Sequence, residues 1–427
     1  LTGIPAPPDA KEFLLDLLQS ALRAADPARQ IVAHLPEPPK GRTIVVGAGK
    51  ASGAMALGLE QHWRGELSGL VIVPHGYAAP TKRITLVEAA HPIPDSAGQA
   101  AAARLMSLLD GLTEDDLVIA LISGGGSALM SLPAPGLALE DKRIVTKGLL
   151  LCGAPIFEIN CVRKHLSAVK GGRLAAAAFP ARLHALLVSD VAGDDPSVIA
   201  SGPTVADPTT AQDALEILHR SKIEVPFAVS QFLRRPEAET PKPGDPRLAR
   251  AHLSMIIRPS DVLIAAAQRA SERGVIPILL GDRIEGESRE VARAFAGMAL
   301  SAAEYGQPAG PPCVLLSSGE TTVTVTGSGK GGPNGEFVLS AALALNGAHN
   351  IAVLACDTDG IDGALGAAGA LATADLLSRA QALKLDPRAY LANNDSAGFF
   401  ARLDALVTTG PTLTNVNDFR AIYIPKP

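Results

Sequence analysis

Two periods of apolar and polar residues alternate along this chain. Short runs with little polar interruption, at Thr43–Val46, Leu70–Val73, Ile84–Glu88, Leu117–Ile122 and Ala185–Val188, read as buried strands. Between them the apolar residues recur at helical spacing, as with Phe13, Leu14, Leu17, Leu18, Ala21 and Leu22 within a predicted helix Ala10–His34. Further helices are predicted at Ala51–His62, Ala97–Leu109 and Leu139–Leu151, and a segment from Asn160–His165 runs through Lys170-Gly171-Gly172-Arg173 into another. The second half repeats the alternation. Helices are predicted at Val262–Arg273, Glu287–Tyr305, Glu336–Leu345 and Ala367–Gln381, and strands at Pro277–Leu280, Val314–Leu316 and Ile351–Ala355. Thr321–Thr326 alternates β-branched residues as an antiparallel strand would. Strand, glycine loop and helix in succession predict an α/β protein with largely parallel sheets. Between the halves, Thr204–Leu248 is Pro-rich and charged, which sets a domain boundary giving residues 1–245 and 246–427.

Composition narrows the function classes. A length of 427 residues suits two or three domains, and a net charge of −5 with 4% aromatic residues gives no footprint for nucleic acid. Cys152, Cys161, Cys313 and Cys356 are scattered without a C-x-x-C pair, which fits a reducing compartment. No apolar run is long enough to span a bilayer and the start carries no signal-like pattern, so a cytoplasmic protein without a membrane partner is expected.

The candidate chemistry gathers where predicted strands end, the position at which open α/β sheets bind ligands. The run Leu117–Ile122 stops at Ser123-Gly124-Gly125-Gly126-Ser127, and backbone amides at a glycine-rich turn can cradle an anion, although such a loop can also serve only a tight turn. Other strand ends carry Lys50, Asp190, Glu320 and Asp357/Asp359. Gly47-Ala48-Gly49-Lys50-Ala51-Ser52-Gly53 approaches a dinucleotide fingerprint, but its third glycine is one residue late. The second strand ends Val73-Pro74-His75-Gly76 without the ribose-binding acid, which weighs against that reading. Lys50 at a helix start suits a phosphate or a carboxylate.

Other motifs fail on spacing. No G-x-x-x-x-G-K-[ST] occurs, and Gly125-Gly126-Ser127-Ala128-Leu129 lacks the last glycine of a nucleophile elbow, so Ser127 reads as a hydrogen-bonding group for a phosphate. Asp357-Thr358-Asp359-Gly360-Ile361-Asp362-Gly363 is no EF-hand, since its glycine is at position four and position twelve is Ala368. The histidines form no zinc pattern. In Asp190–Asp195, Asp190 is the functional candidate and Asp195, before Pro196, an ordinary turn cap. Arg163, Lys164 and Lys170 form either a solvated face or the lining of an anionic pocket. Gly410–Asp418 is either a turn cluster or a recognition loop for a polar small molecule.

Together these stretches resemble the class III glycerate kinase family, two-domain proteins with a C-terminal MOFRL module. The resemblance rests on VVGAGKAS (Val45–Ser52), ISGGGSALMSLP (Ile122–Pro133), VRKHLSAVKGGRLA (Val162–Ala175), SDVAGDDPSVIASGPT (Ser189–Thr204), SSGETTVTV (Ser317–Val325), DTDGIDG (Asp357–Gly363) and GPTLTNVNDF (Gly410–Phe419), in the family's order. It implies Rossmann-like sheets, an active-site cleft between the domains, and ATP- and Mg²⁺-dependent phosphorylation of the 2-hydroxyl of D-glycerate to 2-phosphoglycerate. Members are often labelled hydroxypyruvate reductase.

Carried over by residue, the resemblance implies catalytic roles for Lys50, Asp190, Glu320 and Asp359. It implies substrate or ATP contacts from Ser123, Gly124, Gly125, Gly126, Ser127, Arg163 and Asn415, and Mg²⁺ held by Asp190 or the Asp357/Asp359 pair. Lys50 would neutralise the transferring phosphoryl while one carboxylate takes the hydroxyl proton. One departure stands out: Pro333 occupies a position where members often carry arginine, which removes a bidentate clamp that Lys330 replaces only as a point charge. An NAD(P)H-dependent hydroxypyruvate reductase and a non-catalytic nucleotide- or sugar-acid-binding protein are the alternatives, and a homodimer is an open assembly state.

Overall fold

The computed structural model describes residues 9–426; the chain's first eight residues, where the sequence shows no signal-like pattern, lie outside the described residues. Fourteen strands are named here in chain order. In the first sheet they are β1 Thr43–Ala48, β2 Ser68–Pro74, β3 Ile84–Ala89, β4 Leu117–Ile122, β5 Arg182–Val188 and β6 Ala251–Ile257. There follow β7 Ile276–Gly281, β8 Gly286–Glu287, β9 Cys313–Ser317, β10 Thr321–Thr322, β11 Ala352–Asp357, β12 Gly369–Ala372, β13 Leu406–Val407 and β14 Asp418–Ile424.

The chain forms two compact units, Asp26–Ile257 and a second made of residues up to Ala25 with Arg258 onwards. The sequence-based boundary at 245/246 therefore lies before β6, which completes the first sheet. The opening helix Ala10–Ala24 belongs to the second unit. Phe13, Leu14, Leu17, Leu18 and Ala21 bury its apolar stripe, Asp9 caps its start by accepting from the Glu12 amide, and Phe13 rests on Tyr423 of β14 at 4.7 Å. Asp16 pairs with Arg269 at 2.9 Å on the helix Pro259–Glu272. The predicted helix to His34 breaks because Pro27 starts a new turn that Asp26 caps.

The first unit is a six-stranded, wholly parallel sheet in the order β3-β2-β1-β4-β5-β6, the doubly wound dinucleotide-fold order. Val46, Ile72, Val118, Ala120 and Leu187 meet helix residues Ala101, Leu105 and Leu174 in one core on one face of it. Asp116, before β4, fixes that end of the sheet by accepting from the amides of Arg42 at 2.6 Å and Thr113 at 2.8 Å.

The second unit holds a mixed sheet, β13-β12-β11-β14-β9-β7, in which, among the described residues, only β7 and β9 run parallel. The prediction of largely parallel sheets thus holds for the first sheet and fails for this one. Two elements differ from expectation for identifiable reasons. Beyond Thr322 no strand continues, because the Thr324 amide donates to the Glu287 carboxylate and those of Thr326 and Gly327 to Asn394 Oδ1; the two-residue β10 pairs parallel with β8. The predicted helix Ala367–Gln381 is instead β12, paired antiparallel with β11, followed by the helix Leu376–Ala382. Among the described residues no helix is long and apolar enough to cross a membrane.

Candidate functional site

In the parallel sheet the strand order changes direction between β1 and β4, and ligands of such sheets bind in the crevice beyond the carboxyl ends of the strands there. Three loops leave those ends: Gly49-Lys50 after β1, Ser123–Ser127 after β4 and Ser189-Asp190 after β5.

The first two loops are stitched together. The Lys50 amide donates to Gly124 O at 2.8 Å, and Ser123 Oγ accepts from the Ala51 amide at 3.0 Å and lies 3.1 Å from Ser52 Oγ. Ser123 is fully buried, and these bonds tie its hydroxyl into the loop. Gly125 has φ +81°, and a Cβ there would sit 3.1 Å from the His91 ring and 3.4 Å from Lys50 Cγ. The Lys50 stem therefore lies along the glycine turn. Among the described residues no backbone carbonyl accepts from the Gly124 or Gly125 amides, as an anion cradle requires. Ser127 Oγ lies 2.7 Å from Ser201 Oγ, which donates to Asn160 at 3.1 Å.

Burial pushes the Asp190 carboxyl up to about 6, and the Lys50 charge pulls it back toward the ionised form. A carboxylate that titrates near neutrality beside a lysine is what a proton acceptor needs. Asp195 behaves as the turn cap expected of it, accepting from the Ser197 amide at 2.8 Å. Arg163, on the helix Ile156–His165, is partly buried, and burial lowers its pKa.

The mixed sheet makes its own cluster. Because β14 runs antiparallel between β9 and β11, the ends of β9 and β11 flank the start of β14. This brings Ser318-Gly319-Glu320, Asp357-Thr358-Asp359 and Asn415–Asp418 to one sheet edge. Thr358 holds the edge together: its Oγ1 donates to Asn417 O at 2.6 Å and accepts from the Val416 amide at 2.9 Å. Asp357 Oδ1 accepts from the Asp359 amide at 2.9 Å, and Asp359 Oδ1 from the Ile361 amide at 2.8 Å, so each turn carries a carboxylate on a fixed backbone. At Gly360, φ is +94° and a Cβ would lie 2.0 Å from Gly410 O, so only glycine lets the two loops meet.

Sequence reasoning missed the supports of this edge. Asp362 accepts from the Asn334 and Gly335 amides at 3.0 and 2.8 Å; burial raises its pKa to about 7 even though these bonds oppose the rise. Asn334 Nδ2 also donates to Asp418 at 2.6 Å, and Asp418 pairs with the buried Arg420, which sits in the field of Asp357, Asp362 and Glu320. Pro333 takes the first turn of the helix Pro333–Leu345, where a missing N–H costs nothing, and Lys330 is exposed. Lys142, buried on the helix Leu139–Leu151, was also passed over, though with Val145 and Leu149 it follows the apolar spacing of that helix.

The structure thus groups Lys50, the glycine loop and Asp190 in one unit, and Glu320, Asp357, Asp359 and Asn415 in the other. Among the described residues no group of three His, Cys, Asp or Glu side chains is arranged to hold a metal ion. Mg²⁺ carried on nucleotide phosphates needs only one or two carboxylates, and Asp357 and Asp359 lie two residues apart on one turn.

Comparison with known proteins places these sites in context. The domain family described as a domain of unknown function (DUF4147) matches residues 13–234, and the MOFRL family matches 313–418. A protein of Agrobacterium vitis, provisionally named hydroxypyruvate reductase, is 50% identical over 97% of this chain and 94% of its own. The D-glycerate 2-kinase of Thermotoga maritima is 37% identical over 96% of this chain and 98% of its own. The crystal structure of glycerate kinase from Thermotoga maritima matches with a TM-score of 0.89, covering 97% of this chain and 99% of that one.

Proposed function

Since the chain belongs to the glycerate kinase family of DUF4147 and MOFRL proteins, we propose that it transfers a phosphoryl group from ATP to the 2-hydroxyl of D-glycerate. The observation that carries this reading is the Lys50 side chain lying along Gly125 at the switch point of the parallel sheet, within charge range of Asp190. A loose, highly charged phosphoryl transition state needs positioning and neutralisation more than covalent chemistry, and a lysine against a glycine cradle provides both. Asp190 takes the hydroxyl proton, and the amides of Gly124 and Gly125 hold phosphate oxygens, with Ser127 beside them. Arg163 is a further substrate-binding candidate of this unit, and Asn415, Glu320 and Asp359 are the binding and acidic candidates of the other. Mg²⁺, when bound with the nucleotide, supplies charge neutralisation on the phosphates, and Asp357 and Asp359 would hold it.

The name borne by the Agrobacterium vitis relative keeps the reductase as a second reading. Against it stands the strand β2, which ends in Val73-Pro74 without the acid that would take a ribose hydroxyl. One pair of assays separates the two. The proposal expects ADP release that depends on D-glycerate and no loss of NADH or NADPH absorbance with hydroxypyruvate; the opposite pattern would replace the kinase with a reductase.

A further inference from the structure

Beside the glycine loop the first unit buries positive charge without balancing it. On the helix Leu139–Leu151, Lys142 shares its buried face with Val145 and Leu149, and its Nζ is enclosed with no hydrogen-bond partner among the described residues. Arg163 and Lys170 both act on this neighbourhood: Lys142 feels Arg163, and Lys170 feels Lys142 and Arg163. Lys170 is 1% exposed, and its Nζ donates to the carbonyls of Ser127 at 2.7 Å and Met130 at 3.0 Å, which are neutral acceptors. Among the described residues no carboxylate acts on any of the three cations. Burial, with Arg163 adding repulsion, lowers Lys142 to about 7, and burial, with Lys142 and Arg163 adding repulsion, holds Lys170 well below the ordinary lysine value.

The next residue along the same helix as Arg163 shows how this fold pairs a buried basic side chain. Lys164 pairs with buried Asp207 at 3.4 Å, and Thr209 and Thr240 hydroxyls hold that carboxylate in place. A buried cation left without a counter-ion is costly, and an apolar side chain of similar length would fill the position of Lys142 at less cost. The cluster also adjoins the ligand-facing loop. Asn160, one turn before Arg163, accepts from Ser201 Oγ, and Ser201 Oγ lies 2.7 Å from Ser127 Oγ. Ser127 and Arg163 are the partly exposed members, while Lys142 and Lys170 are buried.

We propose that Lys142, Arg163 and Lys170, set against Ser127, form a subsite for an oxyanion group, either the carboxylate of the hydroxy acid or a phosphate of the nucleotide. Arg163 offers a planar fork at the open side, and Lys142 supplies the enclosed charge that the anion balances. Only the identity of the anion rests on the kinase reading; the unbalanced cations carry the rest.

The test compares the full chain with Lys142→Met and Lys142→Arg by thermal shift against inorganic phosphate, D-glycerate and ATP in turn, and by KM for each substrate. At least one of these anions stabilises the wild type saturably. Lys142→Met raises its half-saturating concentration at least tenfold, and Lys142→Arg stays within about threefold of wild type. A KM that rises for D-glycerate alone assigns the carboxylate, and one that rises for ATP alone assigns the phosphate. If Lys142→Met binds every anion, and keeps both KM values, within twofold of wild type, the subsite is refuted, as it is if no anion stabilises the wild type. Should Lys142→Met fail to fold, Arg163→Gln carries the same thresholds. Lys142-dependent phosphate binding in a wild type that releases no ADP with D-glycerate would overturn the kinase reading and leave the subsite standing.

Discussion

Replacing Asp190 with asparagine should make the protein more stable and nearly inactive. The carboxyl is raised from an ordinary 3.8 to about 6, first by burial and against the pull of Lys50. A rise of that size corresponds to about 3 kcal/mol favouring the protonated form, and residual solvent contact reduces this to about 2 kcal/mol. The sign follows from proton uptake. Between about pH 4 and 6 the folded state binds more protons than the unfolded state, so this group's stability is present below pH 4 and is lost as pH rises through 6. An asparagine side chain has no charge to desolvate. Asp190→Asn should therefore melt about 5 °C higher than wild type at pH 8, with the gap closing by pH 4. Loss of the proposed proton acceptor should lower ADP release with D-glycerate by about 10²–10⁴-fold. Thermal melts across pH and a coupled ADP assay read the two effects. A variant that melts below wild type at pH 8, or keeps more than about a tenth of the turnover, would refute the reasoning.

Three further outcomes are expected. Lys50→Ala should fold, with a melting temperature within a few degrees of wild type, yet lose about 10²–10³-fold in turnover, because it removes the charge lying along the glycine cradle; steady-state kinetics check it. Asp116→Ala should destabilise the first unit by about 2–3 kcal/mol at pH 7 in denaturant melts. Burial alone would raise that carboxyl, but bonds from Arg42 and Thr113 hold it down to about 2, so its contribution is present above pH 4 and fades as pH falls toward 2. Gly360→Ala should lower both melting temperature and activity, since its methyl group would meet the Gly410 carbonyl; a variant with wild-type values would show that the two loops do not need this approach.

The parallel sheet was legible because its strands are buried on both faces. The bounds of β4 and of the helix Leu139–Leu151 follow directly from the apolar pattern. The mixed sheet was harder to read. Strand β14 carries Arg420 in its middle, and a charged residue breaks the strand signature until its partner Asp418 is known. Strand β12 is Gly369-Ala370-Leu371-Ala372, which suits a helix equally well until pairing with β11 decides it. Strand β6 opens on exposed residues at the sheet edge and shows little apolar run. Of the candidate site, Lys50, Asp190 and the glycine loop are visible in the sequence because they stand at strand ends. Asp362 and Asn334 did not, because their bond joins residues 28 apart in the chain. Lys142 carried a signal that went unread, a lysine in phase with Val145 and Leu149.

The central claim is that the chain phosphorylates D-glycerate at its 2-hydroxyl. Phosphorus NMR of the reaction of the purified protein with D-glycerate, ATP and Mg²⁺ tests it most directly. The account predicts a growing 2-phosphoglycerate resonance matched by ADP; a 3-phosphoglycerate product, or no phosphorylated glycerate, would contradict it.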